Sequence, residues 1–144
     1  MANEQKIIIL LHKFTPTEAQ AALDAYAGVG EDSSRITAAP ITDIMEKLNT
    51  AKAIDAVAEG KWPGGTPCPE GRPGALIAGA DKREAIILTR CFKSVLPQGA
   101  DPAFAMVTKT GLTWTVGKYL AHIRKEHDFM KTANPADDPD MKAI

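Results

Sequence analysis

The sequence predicts an α/β domain: a small sheet of about four mainly parallel strands, built as βαβα twice, with helices on its faces. Three observations carry this reading. Two capping-box patterns, Thr15-Pro16-Thr17-Glu18 and Asp81-Lys82-Arg83-Glu84, each follow a short aliphatic run. The strand-to-strand spacing repeats, with Ile8 to Ile36 spanning 28 residues and Leu76 to Phe104 also 28. Each such interval holds one capped helix, and a helical crossover makes the strands it joins parallel. The competing arrangement is a ferredoxin-like or other mixed sheet in which one strand runs antiparallel.

The first strand is read over residues 6–11, where Lys6-Ile-Ile-Ile-Leu-Leu11 has the β-branched character of a strand covered on both sides. Thr15 at the N-cap, Pro16 at N1 and Glu18 at N3 start a helix that runs to about Ala27 and stops at Gly28. Arg35-Ile-Thr-Ala38 reads as a short second strand before Pro40. Beyond caps at Thr42 and Asp43, apolar residues from Ile44 to Ala58 recur at spacings of three and four, with a break near Asn49-Thr50.

Residues 60–74 hold five glycines and four prolines, a composition that supports only a loop. The grammar then repeats. Ala75-Leu-Ile-Ala78 is the third strand, Asp81 caps a helix with Ile87, Leu88, Cys91, Phe92 and Val95 on one stripe, and Ala103 to Thr108 is the fourth strand. A last helix is expected from about Trp114 to Met130. The domain organisation is therefore one domain over 1–131, with pseudo-repeats 6–60 and 74–131, and a loose tail over 132–144.

Composition narrows the function classes. The 144 residues carry 17 basic and 18 acidic groups, and the two halves differ mildly, with 7 against 10 in 1–72 and 10 against 8 in 73–144. Such a balance argues against a nucleic-acid binder, which shows a basic surplus. The longest aliphatic run, Ile7 to Leu11, is far too short for a bilayer span or a secretory h-region, so the expected setting is cytoplasmic. Two cysteines, Cys68 and Cys91, build neither a disulfide framework nor a thiolate metal cluster.

From Gly74 onward the residues carry a resemblance. Leu76-Ile-Ala-Gly-Ala-Asp81, a helix with Phe92, a strand ending Val107-Thr108, Thr110-x-x-x-Trp114-Thr115 and the closing Lys125-Glu126-His127 are similar to the bacterial domain-of-unknown-function family numbered 3783. The resemblance covers roughly the C-terminal half. It implies a fold class and a bacterial or archaeal origin, and it supplies no catalytic residue.

In a parallel α/β sheet, ligands bind beyond the carboxyl ends of the strands. The residues expected there include Lys13, Thr108, Lys109, Thr110 and Trp114, whose ammonium groups, hydroxyls and indole suit a small anion or a protein partner. The leading expectation is a noncatalytic binding or regulatory module using that rim, with no metal and no cofactor. An enzyme using His12 and Asp81 as an acid–base pair is the alternative from another class. A third is a homodimer formed through the loop around Trp62.

Other groups read as structural. His122 and Glu126, four apart, form a surface pair; His127 is a partly buried histidine bonded to a backbone carbonyl; Cys91 is core and Cys68 a passive loop thiol. Receiver-domain phosphoacceptor chemistry lacks its acidic cluster, since His12-Lys13 stands where the first strand ends.

Overall fold

The computed structural model describes residues 6–61, 64–67, 73–97 and 99–132. Trp62, Cys68 and the tail beyond Thr132, about which the sequence raised expectations, lie outside them. Four strands, β1 (Ile7–His12), β2 (Ile36–Pro40), β3 (Gly74–Ala78) and β4 (Ala103–Met106), alternate with helices α1 (Pro16–Gly28), α2 (Asp43–Glu46), α3 (Thr50–Ala58), α4 (Lys82–Ser94) and α5 (Val116–Thr132).

Local chemistry sets the helix boundaries. The Thr15 hydroxyl accepts from Glu18 N at 3.0 Å while the Glu18 carboxylate accepts from Thr15 N at 2.9 Å, so two otherwise orphaned donors are satisfied reciprocally. Asp81 and Glu84 repeat the box at the start of α4, at 2.7 and 3.0 Å. The expected break near Asn49 is real: α2 ends at Glu46, and the Asn49 side chain accepts from Ala51 N to begin α3. The last helix starts later than expected, because a single 3-10 turn (Gly111–Thr113) precedes it and Thr115 accepts from Lys118 N.

The sheet order is β2-β1-β3-β4. β1 pairs in parallel with β2, and β3 in parallel with β4, as the helical crossovers require. The central pairing departs from the single-rim expectation: β1 and β3 are antiparallel, with Ile8 opposite Ala78 and His12 opposite Gly74. The crossover rule governs each βαβ unit only. Between β2 and β3 the chain passes through α2, α3 and the Gly/Pro-rich residues 60–74, and so long a connection lets β3 return in either direction.

The seam gives the sheet an approximate two-fold. Register is the same in both halves, with Ile7 opposite Ile36 and Ala75 opposite Phe104, a 29-residue offset in each. Ile9 faces Ile77 at the centre. Thr50 N donates to Trp114 O at 2.8 Å and Val116 N donates to Leu48 O at 2.9 Å, joining the starts of α3 and α5.

Side chains alternate across β1, which is buried on both faces. Ile7, Ile9 and Leu11 join Tyr26, Leu88 and Phe92 beneath α1 and α4. Ile8 and Leu10 join Met45, Val57, Tyr119 and Leu120 beneath α2, α3 and α5. These two apolar layers are the dominant stabilising contribution, at about 1.5–3 kcal/mol for each large side chain fully withdrawn from water.

Candidate functional site

The antiparallel seam places the start of β1 beside the end of β3, and this end of the sheet carries a groove of about 400 Å³. Its floor is Ile8 of β1, Ala78 of β3 and Val107 immediately after β4. Ala51, Ile54, Asp55 and Ala58 form one wall, at the spacing that puts them on a single face of α3. Leu112, in the 3-10 turn after β4, faces them. The alanines and Gly79 leave the space; larger side chains there would fill it.

Two charges border this apolar groove. Lys6 Nζ donates to the carbonyl of Ala58 at 3.3 Å, where the negative end of the α3 dipole favours a cation. Asp55 is exposed on the helical wall.

Thr108, Lys109 and Thr110 form the turn between the lining residues Val107 and Leu112. Thr108 is committed to that turn: its hydroxyl accepts from Gly111 N at 3.1 Å, and its N–H donates to Tyr119 Oη at 3.1 Å. The same Tyr119 hydroxyl donates to Met106 O at 3.1 Å, which ends β4 two residues earlier than the sequence suggested. Gly111 is required here, since a Cβ would run into the Tyr119 ring. Lys109 and Thr110 are exposed.

Trp114 is half-buried and packs its ring edge-to-face against Tyr119 at 5.5 Å and against His122 at 4.8 Å. Lys118 Nζ sits 5.3 Å from its centroid. Its carbonyl accepts from both the backbone and the hydroxyl of Thr50, each at 2.8 Å. Trp114 therefore sits at the junction of α3 and α5, its indole against α5 and its carbonyl on Thr50.

The predicted rim divides. Thr108, Lys109, Thr110 and Trp114 lie toward the carboxyl end of β4, whereas Lys13 follows β1 at the opposite end of the sheet, about one strand length or 13–17 Å away. Lys13 has a left-handed backbone, φ 62°, and leads directly into the Thr15 cap. The acid–base alternative fails on the same geometry. His12 is opposite Gly74, while Asp81 lies beyond Ala78, which is opposite Ile8, so at least about 13 Å of β1 separates the two. Asp81 is the α4 cap.

The remaining groups fall mainly into structural roles. His122 and Glu126 form an exposed pair at 2.9 Å. His127 is half-buried as expected, but its Nε2 meets the Asp101 carboxylate at 2.7 Å instead of a backbone carbonyl, fixing the approach to β4 against α5. Cys91 is buried, and burial pushes its thiol pKa up, away from nucleophilic use.

Sequence reasoning missed a charged clasp between the two halves. Arg35 meets Glu84 at 2.7 Å, and Arg83 grips Glu31 through both carboxylate oxygens, at 2.8 and 3.0 Å. The Arg83 bond holds the Glu31 carboxyl below its usual range. Tyr26 is buried beside this clasp, and its pKa is pushed up to about 12, first by burial and then by Glu84 and Glu31. The groove residues Lys6, Ile54, Asp55, Ala58 and Leu112 were missed as well. The direction of β3 is what brings Leu112 to the other four.

Among the described residues no helix is long and apolar enough to cross a membrane. No curated protein and no solved structure matches the chain. From Leu76 through α4, β4 and most of α5, residues 76–130 match the family model described as Domain of unknown function (DUF3783), the family that the C-terminal motifs resemble.

Proposed function

We propose that the protein is a noncatalytic binding module whose ligand has a small apolar body and an acidic group, held in the groove between α3 and the strand ends. The observation that carries the reading is the groove itself, lined by Ile8, Ile54, Ala58, Ala78, Val107 and Leu112. Its volume of about 400 Å³ falls within the range of small-molecule sites, and an apolar lining with few polar groups is their usual character. Lys6 on its border and the exposed Lys109 in the turn between Val107 and Leu112 supply positive charge for the acidic end. Asp55 on the α3 wall disfavours a second acidic group. A cytoplasmic, bacterial setting belongs to the same proposal and rests on the short aliphatic runs and the family resemblance.

The experiment is a nitrogen-15 correlation NMR titration with a panel of small aliphatic and aromatic carboxylates. Binding is expected to shift amides of Ile8, Ile54, Ala78, Val107 and Leu112, and Ala58→Leu, which fills the groove, is expected to abolish those shifts. Lys109→Ala is expected to weaken binding several-fold. Shifts confined to other faces, or binding that survives Ala58→Leu unchanged, would remove the groove assignment.

A further inference from the structure

The border of the groove carries two opposite charges that do not neutralise each other. Side chains alternate along β1, so Lys6 lies on the same face as Ile8, and its Nζ reaches the carbonyl of Ala58 at the end of α3. An ammonium has three donors and Ala58 O takes one, so two remain for a carboxylate. Asp55 stands one helical turn before Ala58 on the same face of α3, about 5 Å back along the helix axis.

Asp55 is the uncommitted carboxylate of this wall. Its neighbour Glu59 has Lys61 Nζ at 3.7 Å. Among the described residues no hydrogen bond or ion pair engages the Asp55 side chain, and Lys6 bonds Ala58 instead. The helix adds to the demand for a cation: α3 ends at Ala58, so the negative pole of its dipole lies at the same end of the groove. One side of the border therefore offers donors to an anion, and the other offers a carboxylate to a cation.

We propose that the ligand of the groove is a hydrophobic α-amino acid, its carboxylate on Lys6, its ammonium on Asp55 and its side chain over Ile8, Ile54 and Val107. This deepens the groove reading and rests on it. A simple acid on Lys6 leaves Asp55 facing a like charge, and a simple amine on Asp55 leaves Lys6 in the same position. A molecule with both charges on one carbon answers both. The offset along α3 fits such a head group, since each contact adds about 3 Å between heavy atoms. The apolar floor selects among amino acids, because a charged or amide side chain placed there would lose water without gaining a partner. A volume of about 400 Å³ admits either an aliphatic or an aromatic side chain.

The test is a nitrogen-15 correlation NMR titration at neutral pH with two matched pairs, leucine against 4-methylpentanoate and phenylalanine against 3-phenylpropanoate. Members of a pair share a skeleton and a carboxylate, and only the first carries an ammonium. At least one amino acid is expected to shift the groove amides with a Kd roughly 2–5-fold below that of its partner. Asp55→Asn is expected to bring the two values together, and Asp55→Lys to reverse their order. The Asp55 side chain is exposed, and neither variant removes a bond that the fold uses. Equal or inverted affinities within both pairs, or a preference for the amino acid that survives in Asp55→Lys, would overturn the proposal and leave the groove reading standing. Groove amides that respond to none of the four compounds would overturn it too, and with the wider carboxylate panel equally silent the groove reading falls with it.

Discussion

Tyr26 shows how a single side chain joins burial to electrostatics. Its ring is 1% exposed, and its phenol lies near Glu84 and Glu31, so the ionised form is disfavoured from two directions. The folded pKa of about 12 stands above the unfolded 10.0, so the unfolded chain loses its proton first as pH rises. The resulting stability, about 2–3 kcal/mol, is present below pH 10 and lost between about 10 and 12. Urea denaturation across that window is expected to show the fall, and Tyr26→Phe is expected to remove it; an unchanged slope in the variant would assign the fall to other groups. Gly111 gives a second check. Gly111→Ala is expected to cost about 1–3 kcal/mol by forcing the Tyr119 ring aside, read as a lowered urea midpoint, and a midpoint equal to wild type would mean the turn yields freely.

At the scale of elements, capping chemistry was legible residue by residue. Thr15 and Asp81 each announced a helix start through a side chain that can accept from the first turn, and each does so, whereas Asn49 read only as a break and proves to cap α3. What sequence could not show is where tertiary bonds shorten an element. Nothing local to Val107 and Thr108 says that Tyr119, eleven residues beyond Thr108, will take the Thr108 N–H. The junction of α3 and α5 is of the same kind. The buried Thr50 hydroxyl donates to Trp114 O across 64 residues, and Thr50→Val, which keeps the shape and removes the donor, is expected to cost about 1 kcal/mol in equilibrium unfolding. An unchanged midpoint would show that the backbone bond from Thr50 suffices alone.

At the scale of the whole molecule, two parallel βαβ units and their common spacing were readable, because each crossover is short and contains one capped helix. The relation between the units was not. It is set across residues 60–74, where glycine and proline impose no direction, and by burial of β1 and β3 against each other between two helical layers. This one unreadable choice divided the predicted rim, sent Lys13 and Lys109 to opposite ends, and created the groove that sequence reasoning had not assembled.

The seam can be read directly from proton–proton contacts in solution. Even-numbered residues of β3 turn their backbone to β1, so Ile9 with Ile77 and Leu11 with Ala75 are the non-hydrogen-bonded pairs whose α-protons approach most closely. Strong α-proton to α-proton nuclear Overhauser effects at both pairs are the predicted result. Their absence, with contacts from Ile9 to β3 following the staggered pattern of parallel neighbours, would contradict the seam and dissolve the groove built on it.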